Sequence, residues 1–139
     1  MRRYMHETMT HLPPERLFRA IADIRRWPDW DDDLERTGLD GPARAGARFT
    51  LKPRGGPSVR MVIETAEAPH QFADVSLLPL ARMRTAHSFT PAAGGTAVRV
   101  VIEVWGPLAF LWDRIVARKQ AAGAEAQTRR FLAFAASLS

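Results

Sequence analysis

Few side chains in this chain can move protons, and their spacing is informative. Asp74 and His87 fall in two successive β-type segments, and Tyr4 and His6 stand two apart near the N-terminus. Residues two apart on a strand share a face, so such groups can converge on one site. A carboxylate beside an imidazole can hold it in one tautomer and let it act as general base on an acidic C–H. A tyrosine hydroxyl can stabilise the enolate oxygen that results. Cysteine is absent, which removes disulfides, thiolate zinc sites and cysteine nucleophiles together.

Other constellations fail on chemistry. Asp29, Asp31 and Asp33 imitate the first ligands of an EF-hand loop, but Leu34 stands where glycine is needed and Asp40 where a bidentate glutamate is needed. Gly41 to Gly46 has the outer spacing of a phosphate loop, yet Ala47-Arg48 follows instead of Lys-Ser/Thr. His6, His11, His70 and His87 have no metal-ligand spacing, and no G-x-S-x-G nucleophile elbow occurs. No metal and no cofactor is expected.

The elements that must position the candidates follow from periodicity. Residues 3–11 alternate as a first strand. Pro13-Pro14-Glu15 opens a helix with Leu17, Phe18, Ile21 and Ile24 as its stripe. Pro28 redirects the chain into a short helix or turn through Asp33, and Gly38, Gly41, Pro42 and Gly46 read as a loop. The period then becomes two. Phe49 and Leu51 mark one strand, and Val59, Met61, Ile63 and Thr65 a second. Gln71–Leu78 and Arg82–Phe89 follow, then a strand with Val98, Val100, Ile102 and Val104 on one face. From Pro107 one continuous helix of roughly 30 residues is predicted, about 45 Å long. Its stripe is Leu108, Leu111, Trp112, Ile115, Ala122, Ala126, Phe131, Phe134 and Leu138. The class is α+β in a single domain, residues 1–139.

Composition sets the outer limits. With 139 residues, 46% hydrophobic and 25% charged, disorder, collagen and coiled coil are excluded. The net charge of +5 invites a polyanionic partner, but the arginines are spread over every element, against nucleic-acid binding. The most apolar run, Val98 to Trp112, is broken by Arg99, Glu103 and Gly106-Pro107, so no bilayer span is expected. Without an apolar segment after Arg2-Arg3, a cytoplasmic location is expected.

Leu12-Pro13-Pro14-Glu15-Arg16-Leu17-Phe18, followed by Asp23-Ile24-Arg25-Arg26-Trp27-Pro28-Asp29-Trp30, resembles the A-P-x-x-x-V-[WF] and D-x-x-x-W-P-x-W segments of the polyketide cyclase/dehydrase group within the START-like helix-grip superfamily (SRPBCC). Gly94-Gly95-Thr96-Ala97-Val98 is similar to the G-G-T-x-V that opens its final strand, and Leu12 departs from the usual alanine. The resemblance implies a curved antiparallel sheet wrapped around a long C-terminal helix, with two short helices after strand one and an apolar cavity between sheet and helix.

With Leu12 in the alanine position, Tyr4, His6, Thr8 and Thr10 point inward. The same phasing turns Phe72, Asp74 and Ser76, and Met83, Thr85, His87 and Phe89, to the inner face. The expected ligand walls are Phe49, Met61, Ile63, Phe72, Phe89, Val100, Ile102, Trp112 and Ile115. Thr85 adds a hydroxyl, and Lys119 extends its ammonium to the cavity mouth. Tyr4, His6, Asp74 and His87 are the catalytic candidates. Two readings of this polar set stay open: acid–base chemistry of the cyclase/dehydrase type on a polyketide-like chain, or a passive cavity for a lipid, quinone or aromatic metabolite. A third is a protein-interaction module using an outer face with Met5, Met9, Val62, Val101 and Trp105. Trp27 and Trp30 are expected to pack the short-helix corner. The expected partner is a hydrophobic small molecule, with no nucleic acid and no stable membrane insertion; a homodimer stays open.

Overall fold

The computed structural model describes residues 1–138. Strand β1 (Arg2–Thr10) leads to helix α1 (Pro14–Ala22) and a 3₁₀ turn (Ile24–Asp29). Six strands follow: β2 (Leu34–Leu39), β3 (Arg48–Pro53), β4 (Val59–Glu67), β5 (Gln71–Leu78), β6 (Ala81–Ala92) and β7 (Gly95–Trp105). They form one antiparallel sheet in the order β1-β7-β6-β5-β4-β3-β2. The helical C-terminal stretch consists of α2 (Ala109–Trp112), a π turn (Asp113–Ala117), α3 (Arg118–Ala122) and α4 (Ala124–Ser137).

Alternation sets the sheet's two faces. On β7, Val98, Val100, Ile102 and Val104 are buried while Arg99 is exposed. Cross-strand pairing carries that phase through the sheet, since Ile102 pairs with both Tyr4 and Thr85, and Thr85 pairs with Asp74. A register shift between Ile63 and Thr65 on β4 removes Thr65 from the face that Met61 and Ile63 occupy, and a bulge of this kind bends its strand. On the convex face Arg84 bridges Glu64 at 2.5 Å and Glu103 at 3.4 Å.

The Gly-Gly-Thr segment has a structural explanation. Gly94 turns at φ +79, and a Cβ on Gly95 would collide with the Thr10 carbonyl oxygen. Thr96 is fully buried and donates to the Leu12 carbonyl at 2.7 Å. This bond ties the end of β1 to the start of β7 beneath α1.

Two expectations are corrected. Residues 34–39, read from the sequence as part of a turn and loop, form the edge strand β2, which pairs only with β3 and rests on the 3₁₀ turn. Thr37 donates to the Ile24 carbonyl at 2.6 Å. The C-terminal helix is also not continuous. A π turn and a break at Gly123 interrupt it, and its buried side is Ala109, Asp113, Ala117, Ala124, Thr128, Phe131 and Phe134. Leu111, Ile115 and Ala122, assigned to the stripe for their apolar side chains, lie on the opposite side of the helix and are exposed.

The core divides accordingly. One cluster joins Leu17, Ile21, Trp27, Trp30, Phe49, Phe72 and Phe89 to Phe131 and Phe134 of α4. The other joins Met83, Val100, Ile102 and Val104 to Ala109 and Ala117.

Candidate functional site

The inner face carries a polar band through this apolar interior. Tyr4, Ile102, Thr85, Asp74 and Ile63 occupy one register row from β1 to β4. In the next row lie His6, Val100, His87 and Phe72. Asp74, Ser76 and Thr85 are buried, and Tyr4, His6 and His87 are half-buried. Of the expected apolar walls, Phe49, Met61, Ile63, Phe72, Phe89, Val100 and Ile102 are buried on this face.

Two expected lining residues lie elsewhere. Ile115 is 45% exposed, on the side of the helix opposite Ala109, Asp113 and Ala117. Lys119 is exposed on α3. Trp112 is half-buried against the cluster of Met83, Val100 and Ile102, and its indole N–H donates to the Pro79 carbonyl at 2.9 Å.

Asp74 stands on a central strand with no hydrogen bond from any described residue. Burial pushes its carboxyl up to about 7, against a smaller opposing pull from Arg84. His87 experiences the converse. Burial alone lowers its imidazole to about 4, so the ring is neutral at pH 7. The two are diagonal neighbours, since Asp74 pairs with Thr85 and His87 with Phe72. No Asp74–His87 hydrogen bond forms, and His87 Nδ1 is buried without a partner among the described residues. The tautomer-holding dyad anticipated from the sequence is therefore not assembled here.

Asp113 is the polar residue that the sequence reading missed. It is 1% exposed, accepts the Tyr4 hydroxyl at 2.5 Å and meets the Arg118 guanidinium at 3.3 Å. Its signal was present in the sequence, as the sole acid between Glu103 and Glu125. Its burial was hidden because the buried face here is made of Ala109 and Ala117, small side chains that an apolar stripe passes over. Gln120 adds an amide that donates to the Thr85 hydroxyl at 3.3 Å.

Trp27 and Trp30 do pack the corner, each 6% exposed. Trp27 sets its ring edge-on to Phe49 at 5.5 Å and donates to the Ile21 carbonyl, whereas Trp30 meets Phe131 at 5.1 Å and its Nε1 has no partner among the described residues. Trp30 and His87 line one small space with Val98, Val100, Gln127, Thr128 and Phe131, of about 10 Å³. That is room for about one water. A separate open groove runs along Phe18, Ala22 and Pro69, and Phe18 packs its ring edge-on to Phe72 at 6.2 Å. Among the described residues no cluster of His, Asp or Glu suits a metal ion, and no helix is long and apolar enough to cross a membrane.

A sheet with apolar walls and a polar band, closed by a C-terminal helix, defines the helix-grip class of hydrophobic-ligand-binding folds. The chain belongs to the family described as polyketide cyclase/dehydrase and lipid transport, whose profile matches residues 1–135. Solved structures share the fold at low identity. A hypothetical protein from Helicobacter pylori matches with TM-score 0.79 at 11% identity, over 96% of this chain and 88% of the other. Ara h 8.0201 matches with TM-score 0.73 at 14% identity, over 99% of both chains. Norcoclaurine synthase from Thalictrum flavum, solved with dopamine and hydroxybenzaldehyde, matches with TM-score 0.73 at 12% identity, over 99% of this chain and 88% of that one. No curated protein sequence matches.

Proposed function

We propose that this protein binds a hydrophobic small molecule, such as a lipid, quinone, polyketide or aromatic metabolite, between the sheet and its C-terminal helix, as a cytoplasmic carrier or sensor. One observation carries the reading: Asp74 is buried on the inner face among apolar walls, and no described residue hydrogen-bonds it. Most buried polar groups in a purely structural core have a partner. An unpaired carboxyl between apolar walls fits a site that orients a polar group on an otherwise apolar ligand. The space of about 10 Å³ beside Trp30 and His87 is too small for such a ligand, so binding at that point requires the helix to move off the sheet. Mass spectrometry of the native full-length protein tests this. A stoichiometric apolar molecule, with no product formed on incubation, is expected. An empty protein that also fails to bind an apolar fluorescent probe rejects the reading.

A second reading is favoured by the same carboxyl. An acid at about 7 can both give and take a proton at neutral pH, and the neutral His87 ring lies diagonally beside it. The norcoclaurine synthase complex is consistent with such chemistry on this fold, since that enzyme accommodates two small aromatic molecules. If Asp74→Asn and His87→Ala abolish turnover of a polyketide-like substrate while affinity stays near wild type, the protein is a cyclase/dehydrase and the carrier model fails. The outer-face interaction module has less support. Met5 and Met9 are exposed, but Val62, Val101 and Trp105 are half-buried, and the Arg84 ion pairs cross that face.

A further inference from the structure

The segment from α2 to α3 packs with its sides reversed. Its buried positions are the small or polar Ala109, Asp113 and Ala117, while Phe110 is 66% exposed, Leu111 37% and Ile115 45%. An amphipathic helix of a globular core does the opposite. Leu80, 65% exposed at the tip of the β5–β6 turn, joins them, because its carbonyl accepts the Leu108 N–H at 3.0 Å and holds the tip against the start of α2. Charge on this face has one sign. Between Trp105 and Ala122 the basic residues Arg114, Arg118 and Lys119 are all exposed, and the sole acid, Asp113, is buried.

We propose that this end of the molecule docks on an anionic lipid bilayer. Exposed aromatic and aliphatic side chains beside cations, with no exposed acid in the segment itself, suit the boundary between acyl chains and negative head groups. A second copy of the chain fits worse, because a two-fold contact would set one cationic face against its twin. The inference stands on this surface alone and does not depend on what the interior binds.

Vesicle flotation of the full-length protein tests it, using phosphatidylcholine alone and phosphatidylcholine mixed with phosphatidylglycerol. Wild type is expected to bind the anionic vesicles about tenfold or more tightly, and to lose that preference at high salt. Phe110→Ser with Ile115→Ser should abolish binding with an unchanged urea unfolding curve, and Arg114→Gln with Lys119→Gln should remove the preference for phosphatidylglycerol. Equal binding to both vesicles, or binding to neither, overturns the proposal. So does a concentration-dependent dimer that the serine variant dissolves, which would show that a second copy covers this face.

Discussion

Asp74→Asn isolates the cost of keeping one carboxyl inside the sheet. Burial raises this group from 3.8 to about 7. Below pH 4 it is protonated both in the folded protein and in the unfolded chain. Between those values the folded protein keeps a proton that the unfolded chain releases, so the stability contributed by Asp74 is complete at low pH and is lost as pH rises through 7. Each pH unit in that window is worth about 1.4 kcal/mol, which sets an upper limit of about 4 kcal/mol, and about 2 kcal/mol if water reaches the carboxyl. His87 works in the opposite direction. Its pKa falls from 6.5 to about 4, so its contribution grows as pH rises between them and flattens the wild-type profile. Comparison with the asparagine variant cancels that term. Urea unfolding at a series of pH values from about 4 to about 8 should show Asp74→Asn gaining on wild type by about 2 to 4 kcal/mol, a midpoint shift of about 1 to 2 M. A difference constant with pH to within about 0.5 kcal/mol would refute the buried, unpaired carboxyl.

Removing the Tyr4 hydroxyl should leave the buried Asp113 with Arg118 alone. Tyr4→Phe is expected to cost about 1.5 to 3 kcal/mol in urea unfolding, and much less in an Asp113→Ala background. The buried side of the C-terminal stretch makes a paired prediction: Phe131→Ala should cost about 3 to 5 kcal/mol, whereas Ile115→Ala should stay within about 0.5 kcal/mol by thermal or chemical unfolding.

The strands that place the candidate site were legible because each buries one face and solvates the other. Alternation in β5, β6 and β7 therefore identified Phe72, Asp74, Thr85, His87, Val100 and Ile102 as inward residues. Strand β2 was hidden because Leu34-Glu35-Arg36-Thr37-Gly38-Leu39 shows little alternation, and as an edge strand it needs only one partner. The C-terminal stripe was misread for a different reason. The buried face before Gly123 consists of the small or polar Ala109, Asp113 and Ala117, so a stripe drawn through the large apolar side chains follows the exposed side and misses Asp113. Nor could the sequence show that Trp30, packed as expected, keeps its indole N–H unpaired, because that depends on where Phe131 and His87 come to rest.

The break at Gly123 divides labour within the C-terminal stretch. Phe131, Phe134 and Ala135 of α4 anchor in one apolar cluster with α1 and the tryptophans, while Ala109 and Ala117 anchor in the other with β6 and β7. Each half thus has its own attachment, and the earlier half holds by Ala109, Ala117 and the half-buried Trp112 and Val116, together with the Tyr4–Asp113 bond. Its backbone amides should exchange with solvent through local openings that leave α4 protected. The polar band of the sheet would then be uncovered from one end, by a partial melting of the molecule well short of unfolding.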